Sequence, residues 1–89
     1  MNESAESVAE RLTQMYELAS EVMGLKPEYQ PGPQSVAAIR VYLKLYSLYS
    51  GDLQKVRDWL QKENETLGGL PAELVHSEEG LNKILDSLG

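Results

Sequence analysis

The sequence predicts a small all-α protein, a bundle of about four main helices plus one short helix. In four segments the apolar residues recur every three or four positions, which is the spacing of one buried face of a helix. No segment alternates apolar and polar residues as a half-buried strand does. The chain has 89 residues, 42% apolar and 25% charged, and these values are typical of one globular domain rather than a disordered chain.

The first helix is predicted from about Ser4 to Met23, with Gly24 as its C-terminal stop. Its apolar stripe consists of Val8, Leu12, Met15, Ala19 and Val22. Residues 24–34 contain three of the four prolines, which favour a stiff, extended connection. We therefore predict that residues 1–32 form an appendage, an N-terminal helix with a proline-rich connector, on a helical domain of residues 33–89.

The second helix is predicted from Gln34 or Ser35 to Tyr49, with Ser35 as its N-cap. One stripe consists of Ile39, Tyr42, Tyr46 and Tyr49, a second of Val41, Leu45 and Leu48, and Val36 and Leu43 lie between them. A helix that is apolar around most of its circumference is either central or part of an interface. Its three tyrosines therefore suit a core and a binding surface equally well.

Gly51 ends the second helix, and Asp52 is predicted to cap a third helix that extends to about Glu63. Its buried stripe is Leu53, Val56 and Leu60, with Trp59 beside it. Residues 64–70 are predicted to be a loop in which Gly68-Gly69 permits positive backbone dihedral angles.

Pro71 is predicted to begin a short helix that reaches Val75. Ser77 is the predicted cap of the last helix, and Glu78 and Glu79 lie in its electropositive first turn. The buried stripe of this helix is Leu81, Ile84, Leu85 and Leu88.

The net charge of −6 is unevenly distributed along the chain. Residues 1–32 carry six acids and two bases, residues 33–63 three acids and five bases, and residues 64–89 five acids and one base. The middle bases are Arg40, Lys44, Lys55, Arg57 and Lys62. Because they are spread over two helices and interleaved with acids, we expect no direct nucleic-acid binding. The acidic ends suit either simple solvation or a basic partner surface.

The sequence offers little catalytic chemistry. His76 is its only histidine, cysteine is absent, and no acidic cluster has metal-ligand spacing. We therefore expect a binding protein with no catalytic residue, metal or cofactor. The N-terminus lacks the basic region of a signal peptide, and no apolar run approaches the about eighteen residues of a membrane helix. We expect a cytoplasmic protein.

The second half of the chain resembles the C-terminal toxin-binding domain of the MbcA/ParS/Xre antitoxin family. The matching residues are Trp59-Leu60, Asn64, Leu67-Gly68-Gly69, Pro71, Leu74-Val75, Ser77 and Glu79-Gly80, followed by the aliphatic Ile84 and Leu88. The resemblance extends over about residues 34–89 and lacks the family's usual N-terminal helix-turn-helix. The sequence also departs from the family in having one residue, not two, between Gly69 and Pro71.

The resemblance implies a non-catalytic bacterial domain that binds a toxin, commonly a RES-type enzyme that uses NAD, and occludes its active site. We expect the partner to contact the loop and the last two helices, and also the tyrosines of the second helix. The candidate residues are Asn64, Leu67, Gly68, Gly69, Pro71, Glu73, Leu74, Glu79 and Leu88, together with Tyr42, Tyr46 and Tyr49.

Two alternatives keep the fold and change the partner. The domain could serve a phage or mobile element as an inhibitor or adaptor that binds a different host protein. It could also be a homo-oligomerisation module, such as a homodimer, in which the apolar second helix pairs with its own copy.

Overall fold

The computed structural model describes residues 5–26, 30 and 32–88, and of residues 5–9 it describes the backbone alone. It contains five helices, α1 (Ala5–Met23), α2 (Pro33–Leu48), α3 (Leu53–Leu60), α4 (Pro71–Leu74) and α5 (Glu78–Leu88). Over the described residues no strand forms beyond an isolated bridge between Asn64 and Gly69. The all-α fold is therefore confirmed, whereas the predicted start of the first helix at Ser4 lies outside the described residues.

Helix α2 lies at the centre of the bundle, because α1, α3 and α5 all pack against it. Its buried residues are Ser35, Ala37, Ala38, Ile39, Val41, Tyr42 and Leu45. The two alanines allow neighbouring helices to approach closely, and Val41 and Leu45 are completely buried. Of the two positions that the sequence left open for this helix, the structure shows the central one.

The predicted N-cap of α2 is wrong. The helix begins at Pro33, preceded by Gly32 in the cap position, and Ser35 lies within the first turn. Proline suits the first position of a helix, because the N–H group that it lacks would have no hydrogen-bond partner within the helix there. The Ser35 hydroxyl instead donates a hydrogen bond to the Gln30 carbonyl, which fixes the connector to the start of α2.

Helix α1 contributes its C-terminal half to the same core. Ala19 and Met23 are buried there, and α1 packs against both α2 and α3. Of the other members of the predicted stripe, Leu12, Met15 and Val22 are half-buried, and the side chain of Val8 lies outside the described part. The division of the chain at residue 32 stays a prediction, but the core contains residues from both sides of it.

The cap of α3 is confirmed, and its predicted end is wrong. Asp52 Oδ1 accepts hydrogen bonds from the Gln54 and Lys55 N–H groups, at 3.1 and 3.3 Å. The helix ends at Leu60, three residues before Glu63. It ends there because the Asn64 N–H donates to the Gly69 carbonyl, at 3.0 Å, which takes the chain out of the helix.

Helices α4 and α5 form a tight pair. Pro71 begins α4 as predicted, and Ser77 caps α5 with its hydroxyl accepting from the Gly80 N–H at 3.0 Å. An ideal Cβ on the buried Gly80 would lie 2.0 Å from the Leu74 carbonyl oxygen. Since real Cβ atoms do not approach backbone oxygen so closely, only glycine fits here.

We predict that Gly80→Ala lowers the free energy of unfolding by about 2 kcal/mol, because α4 and α5 must move apart. At an unhindered position inside a helix, a change from glycine to alanine raises stability by about 1 kcal/mol. A loss of stability would therefore indicate the close approach of α4 and α5. Urea unfolding followed by Trp59 fluorescence measures it. The control is Gly69→Ala, because an added Cβ would meet nothing within 4 Å there. An equal effect of the two substitutions would contradict the close approach.

Candidate partner-binding site

The loop between α3 and α4 is closed by the backbone and side chain of Asn64. The Asn64 carbonyl accepts from the Gly68 and Gly69 N–H groups, at 2.9 and 3.3 Å. The Asn64 side-chain oxygen accepts from the Leu67 N–H, at 3.2 Å. With the Asn64–Gly69 bridge these bonds tie both ends of residues 64–69 together. The segment is therefore a compact, internally bonded turn.

The loop points one side chain inward and leaves its tip exposed. Leu67 is only 2% exposed and packs in the core. Gly68 follows with φ +74°, a left-handed conformation that an L side chain adopts at a cost, and this confirms the prediction for the Gly-Gly pair at Gly68. The burial of Leu67 fixes the position of the exposed residues Glu65 and Gly68.

Helix α4 places one of the candidate carboxylates beside this loop. Pro71 is buried at its start, Leu74 is half-buried at its end, and Glu73 between them is exposed. The first turn of α5 follows directly, where Glu79 is also exposed. The loop, α4 and the start of α5 therefore present a surface rich in exposed carboxylates.

The three tyrosines in and just after α2 differ in exposure. Tyr42 is buried at 6% exposure, Tyr49 is half-buried, and only Tyr46 is well exposed, at 45%. The rings of Tyr42 and Tyr46 are in contact, with centroids 5.9 Å apart. Burial raises the pKa of the Tyr42 phenol above its ordinary value of 10.0, and the neighbouring Tyr46 raises it further.

The candidate residues thus fall into three groups by exposure. Gly68, Glu73, Glu79 and Tyr46 are exposed; Asn64, Gly69, Leu74, Leu88 and Tyr49 are half-buried; Leu67, Pro71 and Tyr42 are buried. The buried side chains hold the surface in place from below. Contact of this set with a partner stays a prediction.

Sequence reasoning missed two exposed carboxylates that flank the loop. Glu63 and Glu65 are exposed and line a shallow depression together with Asn64, Gly68 and Gly69. The acidic charge of residues 64–89 was a signal for Glu65 alone, because Glu63 ends the segment that carries more bases than acids. The structure adds both residues to the candidate surface.

His76 lies at the turn between α4 and α5. Its side chain is exposed, and its backbone carbonyl accepts a hydrogen bond from Gln34 Nε2 at 3.1 Å, which ties the start of α2 to the α4–α5 turn. Within the described ranges no three His, Cys, Asp or Glu residues are grouped so that they could hold a metal ion. None of the described helices combines the length and apolar character needed to cross a membrane.

The comparison with protein families gives one match. The model of the antitoxin Xre/MbcA/ParS C-terminal toxin-binding domain matches residues 44–89, which is more than half of the chain. The chain belongs to this antitoxin family. A search of curated proteins found no match.

The matched region of the antitoxin domain contains the whole loop, α3, α4, α5 and the last turn of α2. It begins ten residues later than the resemblance over 34–89 suggested, so α1 and most of α2 lie before it. All the candidate residues except Tyr42 are within the match.

We predict that Asn64→Ala loosens the loop of the antitoxin domain, because the Leu67 N–H loses its acceptor. A hydrogen bond of this kind contributes about 1 kcal/mol, so the Leu67 amide should exchange its hydrogen about fivefold faster or more. Hydrogen exchange followed by NMR measures this. Asn64→Asp is the matched control, because a carboxylate oxygen can still accept the bond. Unchanged exchange in Asn64→Ala would show that the side chain does not hold the loop.

We predict that the antitoxin domain loses stability as the pH rises above 10. A tyrosine in the unfolded chain ionises near 10.0, whereas Tyr42 in the fold keeps its proton to higher pH. Between these two pKa values the unfolded state binds fewer protons, so rising pH favours unfolding. Urea unfolding at about pH 9 and about pH 11 should show a smaller loss in Tyr42→Phe than in wild type. Tyr49→Phe is the control, because it leaves both the Tyr42 phenol and its neighbour Tyr46 in place, and an equal loss in all three proteins would contradict the assignment.

Proposed function

We propose that this protein is a non-catalytic antitoxin that binds a RES-type, NAD-using toxin and blocks its active site by steric occlusion. The observation that carries the proposal is the family match, which contains the closed loop, α4 and α5 in one continuous segment. In this proposal the protein acts in the bacterial cytoplasm, where such an enzyme would meet its NAD.

The charge of the candidate surface supports such a partner. Glu63, Glu65, Glu73 and Glu79 are all exposed on or beside the loop and the two helices that follow it. An enzyme that binds NAD must accommodate a pyrophosphate group, and cationic side chains and helix N-termini usually do so. An acidic protein surface is complementary to the mouth of such a site. Charge complementarity of this kind orients the partner and speeds association.

The rigidity of the loop supports a tight complex. The Asn64 hydrogen bonds, buried Leu67 and the Gly80–Leu74 contact hold the acidic surface in one conformation before a partner arrives. A surface that is already ordered loses less conformational entropy on binding than a flexible one. The half-buried Leu74 and Leu88 would add apolar area at the contact.

Inhibition by occlusion requires only that the domain covers the enzyme. The carboxylates that surround the loop would contribute charge and hydrogen bonds, and no bond needs to be made or broken. The amount of toxin activity should therefore fall in proportion to the fraction of toxin bound.

The test uses a RES-type, NAD-using toxin produced with and without this chain. We predict that the wild-type chain restores growth and the cellular NAD level, and that Glu65→Lys with Glu73→Lys weakens toxin binding about tenfold or more. The control with the same change of net charge is Asp58→Lys with Asp86→Lys, two exposed positions outside the candidate residues, which should bind as wild type does. Binding is measured by calorimetry with purified proteins.

Two results would contradict this proposal. If the toxin keeps its full activity when saturated with the chain, occlusion is wrong. If the acidic reversals leave binding unchanged while Tyr46→Ala abolishes it, the partner uses the tyrosine side of α2, as a different host protein would.

A further inference from the structure

Helix α2 is central, yet one of its faces is open to solvent. This α2 outer face consists of Val36, Arg40, Leu43, Lys44 and Leu48. The three apolar members are exposed by 42%, 43% and 59%. Val36, Arg40 and Leu43 follow one another at the spacing of a single helical stripe, and Lys44 lies beside Arg40. Aliphatic side chains and two cations are thus combined on one surface that no described helix covers.

The two cations of this face are available to a partner. Arg40 and Lys44 are exposed, and among the described residues neither side chain forms an ion pair or hydrogen bond within the chain. They are four residues, or about 6 Å, apart along the helix. A partner that suits this face therefore carries two carboxylates at the same spacing, beside apolar side chains.

Helix α1 carries such a surface on the side that faces solvent. This α1 outer face consists of Glu10, Glu17, Leu18 and Glu21. The three glutamates are exposed and recur at intervals of seven and four residues, so they lie in one row. Leu18 is 52% exposed at the edge of that row. Glu17 and Glu21 are about 6 Å apart along the helix, like Arg40 and Lys44.

Two copies of the chain can pair these faces in three ways, and charge distinguishes them. Two α2 outer faces would place Arg40 and Lys44 against the same cations, and two α1 outer faces would oppose rows of glutamates. Like charges in contact are destabilising. Only α1 of one copy against α2 of the other places Glu17 and Glu21 opposite Arg40 and Lys44, and it also covers the exposed leucines.

We propose that the protein self-associates through the α1 outer face of one copy and the α2 outer face of another. This differs from pairing of α2 with its own copy, which the repulsion between the Arg40 and Lys44 pairs disfavours. Each copy carries one of each face, so the pairing closes as a dimer where both contacts form at once and extends head-to-tail where only one forms. The acidic surface around the loop is not used and stays free.

The experiment is sedimentation velocity of the full chain over a range of concentrations, with two double variants. Glu17→Lys with Glu21→Lys makes both faces basic, and Arg40→Glu with Lys44→Glu makes both faces acidic. All four positions are exposed, so circular dichroism should show the wild-type helix content. We expect each variant alone to associate at least about tenfold more weakly than wild type.

Mixing the two variants is the decisive measurement. In the mixed pair a basic α1 face meets an acidic α2 face at one contact, and the wild-type pairing is kept at the other, so association should return. Each variant changes the charge of −6 by four in opposite directions, to −2 and −10, so both stay acidic and general attraction cannot bring them together. The control variant is Glu63→Lys with Glu65→Lys, which also has a charge of −2 but keeps an acidic α1 face. Only one of its two possible contacts with the acidic variant is favourable, so it should associate with that variant more weakly than Glu17→Lys with Glu21→Lys does.

Three results would overturn the proposal. One is a wild-type chain that stays monomeric up to about 1 mM, where binding would be too weak to matter. Another is association that survives both double reversals. The last is a mixture of the two variants that stays as dissociated as each variant alone.

Discussion

The burial of α2 is the constraint on which the rest of the structure depends. A chain of this size has few residues to spare for a core, and here one helix supplies a surface on which α1, α3 and α5 all pack. Val41 and Leu45 are fully buried at its centre, and Ala37 and Ala38 let neighbouring helices approach. A small chain buries only a modest fraction of its surface, and a helix that is covered on several sides lets it bury more apolar surface. The same arrangement leaves only one side of α2 exposed.

Hydrogen bonds and packing contacts within the C-terminal half of the chain determine how rigid the candidate surface is. Asn64 closes the loop through its own carbonyl and side chain, and Leu67 anchors it in the core. Gly80 brings α5 against the Leu74 carbonyl, at a distance that excludes any side chain. Each of these three features restricts the conformation of the backbone that carries the exposed carboxylates. Core packing and the shape of the candidate surface therefore depend on the same residues.

The parts of the fold that were predictable from sequence are those set by short-range chemistry. Asp52 and Ser77 cap helices because their side chains reach an N–H two or three residues ahead, and Pro71 begins one because its backbone is already helical. The end of α3 was mispredicted because a bond between residues 64 and 69 overrides a sequence that favours helix as far as Glu63. Ser35 was mispredicted because its hydroxyl bonds back to the connector rather than forward into α2.

The candidate surface was less predictable, since exposure is decided by tertiary packing. The tyrosines of α2 have helical spacing, yet their exposure differs because α2 is covered on several sides. Tyr42 turns into the core and Tyr46 lies at its edge. Similarly, the sequence shows that the last third of the chain is acidic, but only the fold shows that Glu63 and Glu65 flank the same turn.

The segment that matches the family does not contain the whole core of the protein. The match begins at residue 44, inside α2, and so omits Val41, Ala38 and Ala37, which lie at the centre of the core. The matched segment alone would lack most of the helix against which its own α5 packs. Ala19 and Met23 of α1 fill part of the same core. The folding unit is therefore larger than the matched segment.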